Sequence, residues 1–181
     1  MEDTLLTTLM TRRSIRRYTD QPISPETLAI LFQAAQWAPS WANTQCWEIV
    51  VVRDPATKAG LSAIVSPKNP ATKALVNAPV VLAVCGRLQK SGWYSGKQVT
   101  RYPDWMLYDL GLVSQNICLA AHHLGLGSVI VGLFDHAQAE QLLRVPEGCE
   151  LVSLIPLGYP DHAPSPPPRR PIDEFVHYEH F

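Results

Sequence analysis

Apolar residues recur along the chain at two spacings, and the changes between them mark out the elements. Residues 2–11 carry Leu5, Leu6 and Leu9 on one helical face. A helix is predicted from Pro25 to about Trp37. Ser24 suits its N-cap, Pro25 its first position and Glu26 the positive end of its dipole, with Leu28, Leu31, Phe32 and Ala35 as the buried stripe. Pro39 stops it. Glu48 to Arg53 has strand pattern, and Asp54 with Pro55 opens a short helix. Residues 66–70 form a loop, and Lys73 to Val76 supplies one or two helical turns. Pro79 to Cys85 is a continuous apolar run of strand length, as a buried strand requires. Residues 88–103 show no period and are expected to be an excursion, either a plain surface loop or a cover over a ligand site. Asp104 to Leu124 is the longest helix candidate, with Asp104 as its cap. It is apolar nearly all round, so it needs burial on several sides, most simply against a second copy of itself.

Gly125-Leu126-Gly127 ends that helix. Ser128 to Phe134 is predicted as a strand whose internal Gly132 marks close approach of a ligand or another backbone. Asp135 caps a short helix to about Leu143, and Glu150 to Leu157 is the last core strand. From Asp161 the chain is proline-rich, extended and stiff. It ends with Phe175, Val176, Tyr178 and Phe181, apolar residues expected to dock on something such as another subunit.

Composition narrows the possibilities. The 181 residues fit one domain with arms, and 46% hydrophobic content is enough for a core. A formal net charge of −1 argues against a nucleic-acid surface, which needs a broad basic face. Asp109, Gln115, Asn116, His122 and His123 interrupt the long helix, so it is not a membrane span. No signal peptide is visible, and Cys46, Cys85, Cys118 and Cys149 are widely spaced. The expectation is a soluble, cytoplasmic protein without disulfides.

Against that neutral background, Arg12-Arg13-Ser14-Ile15-Arg16-Arg17-Tyr18 stands out. Guanidinium forks fit phosphate oxygens two at a time, and the serine adds a hydroxyl donor. Such a cluster calls for a small anion, or else is a solvated basic turn. The stretch 38–47 sets Asn43, Thr44 and Gln45 between Trp41 and Trp47; amides beside aromatic faces suit a flat, heteroatom-rich ligand, or else satisfy local backbone. Other chemistries lack their residues. There is no Walker loop, dinucleotide fingerprint or nucleophile elbow. The adjacent His122 and His123 make a poor metal pair, and His177 with His180 has no third ligand nearby, so no metal is expected. A bound redox cofactor would explain why so few side chains look catalytic.

These motifs together resemble the FMN-dependent nitroreductase family over nearly the whole chain. Arg12 to Tyr18 resembles its opening phosphate-binding motif. Ala38-Pro39-Ser40 through Asn43, Gln45 and Trp47 resembles its second signature. Asp109-Leu110-Gly111 through Ser128 resembles the central helix and its exit, and Arg169-Arg170-Pro171-Ile172 the closing basic motif. The resemblance implies an α+β sandwich with a mostly antiparallel central sheet flanked by helices. It makes residues 1–160 the flavin-binding domain and 161–181 an arm crossing to the partner of a homodimer, with flavins in the interface. It implies that Arg12 and Arg169 bind the FMN phosphate and that Arg13 and Ser14 lie along the phosphate and ribityl chain. Arg16 reaches the pyrimidine edge, and Pro39, Ser40 and Asn43 approach the ring from the partner. Lys73 stands near the pyrimidine oxygen, and Gly132 and Leu133 face N5. Trp41, Trp93 and Tyr94 are expected to set substrate range.

Three positions depart from the family pattern. Cys46 replaces the usual proline and is expected to put a thiol near the ring. Gly132 replaces a glutamate found in some members. Pro167 replaces a lysine, leaving Arg170 to compensate. The implied activity is NAD(P)H-dependent, ping-pong reduction of nitroaromatics, quinones or similar flat acceptors. The alternatives are other flavin chemistry (dehydrogenation, dehalogenation, oxygen-dependent flavin cleavage) and a flavin carrier or sensor without turnover.

Overall fold

Side-chain caps fix where most helices begin. In a computed structural model that describes residues 4–181, α1 spans Thr4–Thr11. The expected helix start at Glu2 lies outside the described residues. Helix α2 (Pro25–Gln36) is capped by Ser24, whose hydroxyl accepts from Thr27 N at 3.1 Å. Strand β1 is Trp47–Val52, and Asp54 caps α3 (Pro55–Ala63) through Thr57 N at 2.8 Å. Helix α4 (Thr72–Asn77) leads into β2 (Val80–Arg87). Residues 88–103 are not without regular structure: they hold a small hairpin, β3 (Trp93–Tyr94) with β4 (Lys97–Gln98).

Helix α5 runs Met106–His123. Asp104 does not cap it with its side chain. Instead its carbonyl accepts from Leu107 N at 3.0 Å in a tight lead-in turn, and Trp105 occupies the cap. Gly125 ends the helix in the left-handed region, φ +77, where a Cβ would be strained. The strand expected over 128–134 is broken. Only β5 (Gly127–Ser128) pairs regularly; beyond it Val131 bridges Leu154 and Phe134 bridges Val65 as isolated contacts. Asp135 caps α6 (His136–Leu143), and β6 is Cys149–Gly158.

The four-stranded sheet has the order β1-β2-β6-β5, every pair antiparallel. Strand β2 lies inside it, and all but its last residue are buried. Its alternation divides the core. Val81, Ala83 and Cys85 pack with Leu61, Leu75 and Ala139 of α3, α4 and α6. Val80, Leu82 and Val84 pack with Leu28, Leu31, Leu110, Val113 and Ile117 of α2 and α5. This is the expected α+β sandwich. The four cysteines are free thiols. Among the described residues no helix is long and apolar enough to cross a membrane, and no side-chain cluster could hold a metal.

Helix α5 buries one face, including Asp109, Leu110, Val113, Ile117 and Ala121, while Leu107 and Tyr108 stay 49% and 63% exposed. On the arm, Phe175, Tyr178 and Phe181 are exposed.

Candidate functional site

The arginine-bearing segment is held flat on the β5 edge of the sheet by backbone contacts at both ends. Ile15 N donates to Ser128 O at 2.9 Å, and Ser14 forms an isolated parallel bridge with Ser128. Further along, Thr19 N donates to Tyr159 O at 2.9 Å and Asp161 N to Arg17 O at 3.2 Å. The Tyr18 hydroxyl lies 2.7 Å from Ile15 O and 3.0 Å from Pro156 O, one proton serving two carbonyls. Burial raises the Tyr18 pKa well above the usual phenol range, so it stays a donor.

Two glycines make this close seat possible. Gly127 and Gly158 stand opposite each other in the β5–β6 ladder. A Cβ at Gly127 would fall 2.6 Å from Ile15 Cβ, and one at Gly158 would fall 2.9 Å from Tyr18 Cδ1 and 2.7 Å from Pro79 Cδ. Their role as a bed for residues 15–18 comes from tertiary approach and has no local sequence signal.

Above this bed lies a cavity of about 330 Å³ lined by Arg12, Arg13, Ser14, Arg16, Pro164, Ser165, Pro167 and Arg169. Four guanidinium-bearing residues from the two ends of the chain share it, and no carboxylate lines it. The orphan polar atom there is telling: Arg16 Nε is buried without a hydrogen-bond partner, and Arg16 Nη1 reaches only Ser14 O at 3.4 Å. Arg13 is partly engaged, since its Nη1 donates to Met10 O at 2.7 Å and Arg12 O at 2.8 Å and so caps the end of α1. Arg169 Nη1 makes only long contacts, 3.4 and 3.5 Å, to Pro168 O and Pro167 O. Arg170 does not line the cavity; its guanidinium lies 5.4 Å from the Phe175 ring centre.

His122 stands beside this cluster. The Thr11 hydroxyl donates its proton to Thr7 O at 2.6 Å, so at 2.8 Å His122 Nε2 must be the donor to Thr11 Oγ1. Burial first, then Arg12, Arg13 and His123, lower the His122 pKa.

The second signature forms a 3₁₀ turn over Trp41–Asn43, with Ala42, Asn43 and Gln45 at φ 45, 55 and 47. Ser40 Oγ accepts from Gln45 N at 2.9 Å, and Asn43 Oδ1 accepts from Gln45 Nε2 at 3.1 Å. Pro39 is exposed. Asp109, fully buried in the first turn of α5, accepts from Trp41 N at 3.1 and 3.2 Å and from Ser91 Oγ at 2.5 Å. Sequence reasoning missed Asp109 as an anchor; a lone carboxylate on an otherwise apolar face was the available signal.

Cys46 does not present a reactive thiol. It is fully buried, its Sγ donates to Asp109 Oδ2 at 3.7 Å, and burial together with the Asp109 charge pushes its pKa up to about 12. The remaining expected residues lie apart from the arginine cavity. Lys73 is exposed on α4. Leu133 is 71% exposed, and Gly132 faces open space with nothing within 4 Å of a Cβ placed there. Trp93 Nε1 donates to Pro103 O at 3.3 Å, and Tyr94 is exposed.

The Trp41 turn and the arginine cavity sit at opposite ends of α5. From Asp109 to His122 the helix covers about 20 Å at roughly 1.5 Å per residue.

An antiparallel sheet between two helical layers, with a cationic cavity on its edge strand, defines an α+β protein whose site has the charge a small anion requires. The chain belongs to the nitroreductase family, whose family model, "Nitroreductase family", matches residues 9–159. A relative from Archaeoglobus fulgidus, provisionally named NADH dehydrogenase/NAD(P)H nitroreductase, is 34% identical over 84% of this chain and 83% of its own. An "FMN reductase [NAD(P)H]" from Bacillus subtilis is 28% identical over 97% of this chain and 73% of its own. The crystal structure of the NADPH:FMN oxidoreductase from Vibrio harveyi complexed with NAD+ superposes with a TM-score of 0.85 at 30% identity, covering 98% of this chain and 77% of that one.

Proposed function

We propose that this protein is an NAD(P)H-dependent FMN oxidoreductase that reduces flat acceptors such as nitroaromatics or quinones. The observation that carries this reading is the cavity shared by Arg12, Arg13, Ser14, Arg16 and Arg169, with the Arg16 Nε donor buried and unpaired. An unmet buried donor among cations calls for an acceptor, and the FMN phosphate and pyrimidine edge supply several.

FMN, held by these residues, would supply the hydride-transfer chemistry between NAD(P)H and the acceptor. The chain's own residues bind and orient. Arg12 and Arg169 hold the phosphate, and Ser14 donates beside it. Arg13 fixes the end of α1 that carries Arg12. Arg16 brings a permanent positive charge to the pyrimidine edge, where charge on the reduced ring is stabilised. Lys73, Gly132 and Leu133 lie outside the phosphate cavity and would face the ring beyond it, and Arg170 would have to leave the Phe175 ring to support the phosphate in place of a lysine at Pro167.

Pro39, Ser40 and Asn43 reach the same ring only from a second copy. Within one chain their turn is held at the far end of α5 from Arg12. An antiparallel pairing of two α5 helices about a two-fold axis brings each Asp109 end to the other's His122 end. The exposed Leu107, Tyr108 and Gly111 face supports that pairing, and exposed Phe175, Tyr178 and Phe181 support an arm that docks on the partner.

The test is reconstitution with FMN, then steady-state turnover with NADH or NADPH and a nitroaromatic or quinone, against oxygen alone. Parallel-line ping-pong kinetics are expected from a flavin-loaded dimer. A colourless protein that takes up no FMN overturns the proposal, and bound FMN that neither nicotinamide reduces leaves a carrier.

A further inference from the structure

Asp109 is a carboxylate with no solvent exposure, and among the described residues no ion pair involves it. Burial of such a group is tolerated only where donors surround it. Its donors come from two segments distant in sequence. Trp41 N reaches both oxygens at 3.1 and 3.2 Å, and Cys46 Sγ lies 3.7 Å from Oδ2, closing the two ends of the Trp41 turn. Ser91 Oγ reaches the same Oδ2 at 2.5 Å and is itself buried, at the start of the 88–103 excursion. The excursion's other end joins α5 directly, and Trp93 is tied back to Pro103 O. The two segments carrying the aromatic residues Trp41, Trp93 and Tyr94 thus meet on one oxygen atom.

We infer that Asp109 is a positioning residue that locks the Trp41 turn and the 88–103 excursion into a single wall, and that this wall sets the fit of bulky acceptors. The inference about acceptors rests on the flavin oxidoreductase reading; the lock itself does not. Cys46 belongs to the device. Its thiol stays protonated and points at the carboxylate. Ser91 is the cleanest point of attack, because removing its hydroxyl disconnects the excursion and leaves the Trp41 contact in place.

The experiment compares the full-length protein with Ser91→Ala and Asp109→Asn by two readouts. The first is tryptic cleavage at the exposed Lys90, Lys97 and Arg101 of the flavin-free protein. Opening of the excursion should speed cleavage in both variants by about five-fold or more. The second is a KM-against-kcat split on the FMN-loaded protein. KM for a two-ring quinone should rise by a similar factor, while FMN affinity and kcat with oxygen stay within about two-fold in Ser91→Ala. Unchanged cleavage in both variants overturns the lock. Faster cleavage with unchanged quinone KM overturns its control of acceptors. If the wild type takes up no FMN, the oxidoreductase reading fails while cleavage still decides the lock; if Asp109→Asn does not fold, Ser91→Ala decides alone.

Discussion

Gly127→Ala would place a methyl carbon 2.6 Å from Ile15 Cβ, 2.6 Å from Cγ2 and 2.7 Å from Cγ1. Non-bonded carbons rest at about 3.5–4.0 Å, so residues 14–16 would have to retreat by roughly 1 Å. No rotamer of Ile15 relieves the overlap, because the nearest atom is its Cβ; Ile15→Ala is therefore not expected to rescue the variant. Overpacking of this kind costs about 1–3 kcal/mol, or about 2–12 °C in Tm for a chain of this size. The same retreat carries Ser14 and Arg16 away from the anion. Losing one charge-assisted hydrogen bond weakens FMN binding by about 1.5–3 kcal/mol, roughly 10- to 150-fold in Kd. Gly60→Ala is the control. It meets only the far end of Leu142, 2.8 Å from Cδ2, which can swing aside, and alanine gains about 1 kcal/mol in α3. Thermal melts and quenching of flavin fluorescence measure both quantities. A Gly127→Ala protein with wild-type Tm and wild-type FMN affinity would refute the glycine bed.

Arg12→Ala is expected to weaken FMN binding by about 1.5–3 kcal/mol in the same titration, and unchanged affinity would remove Arg12 from the phosphate site. Trp41→Ala should change the profile of accepted substrates with little change in FMN affinity; an unaltered profile would count against its role. The Cys46 and Cys85 thiols, raised by burial to about 12 and about 11, stay protonated in the fold while unfolded thiols ionise near pH 8.5. Their stability contribution is complete below that pH and is lost as pH rises toward the folded values, at about 1.4 kcal/mol per pH unit for each thiol. Denaturant titrations at pH 8 and pH 10 check this, and thiol reagents should react with neither residue before unfolding. His122, with its pKa lowered by burial and by Arg12 and Arg13, supports stability above its unfolded value, and that support falls as pH drops through the folded value. Phosphate bound at Arg12 would offset that repulsion; the FMN phosphate itself titrates at about pH 6 and contributes alike in both proteins, so FMN binding at that pH should take up more protons in wild type than in His122→Gln, by calorimetry in buffers of different ionisation heat.

Most elements were legible because their signals are local. Ser24, Asp54 and Asp135 each cap a helix through one backbone N–H, a contact set within three residues. The two faces of β2 follow from strict alternation in an apolar run. The strand expected over 128–134 failed because apolar content fixes burial and not pairing: after Ser128 the chain leaves the β6 ladder, touches it once at Val131, and exposes Ile130, Gly132 and Leu133. The cap expected from Asp104 failed because the chain enters α5 through a tight turn that uses its carbonyl.

For the site, the division is the same. The anion-seeking arginines are written in residue types, so their chemistry could be read directly. What holds them in place could not, because it consists of missing atoms and distant partners. Gly127 and Gly158 act by leaving room for Ile15 and Tyr18, more than a hundred residues away in sequence. Asp109 acts by joining Trp41 to Ser91. The placement of the Trp41 turn about 20 Å along α5 from the arginines has a further consequence. If Pro39, Ser40 and Asn43 touch the flavin that the arginines hold, as proposed, one chain lacks part of the site and a dimer is the condition for completing it. Dilution to monomer should therefore release FMN with the same midpoint as dissociation. Flavin retained with full affinity by a monomer would separate the two halves and refute the shared site.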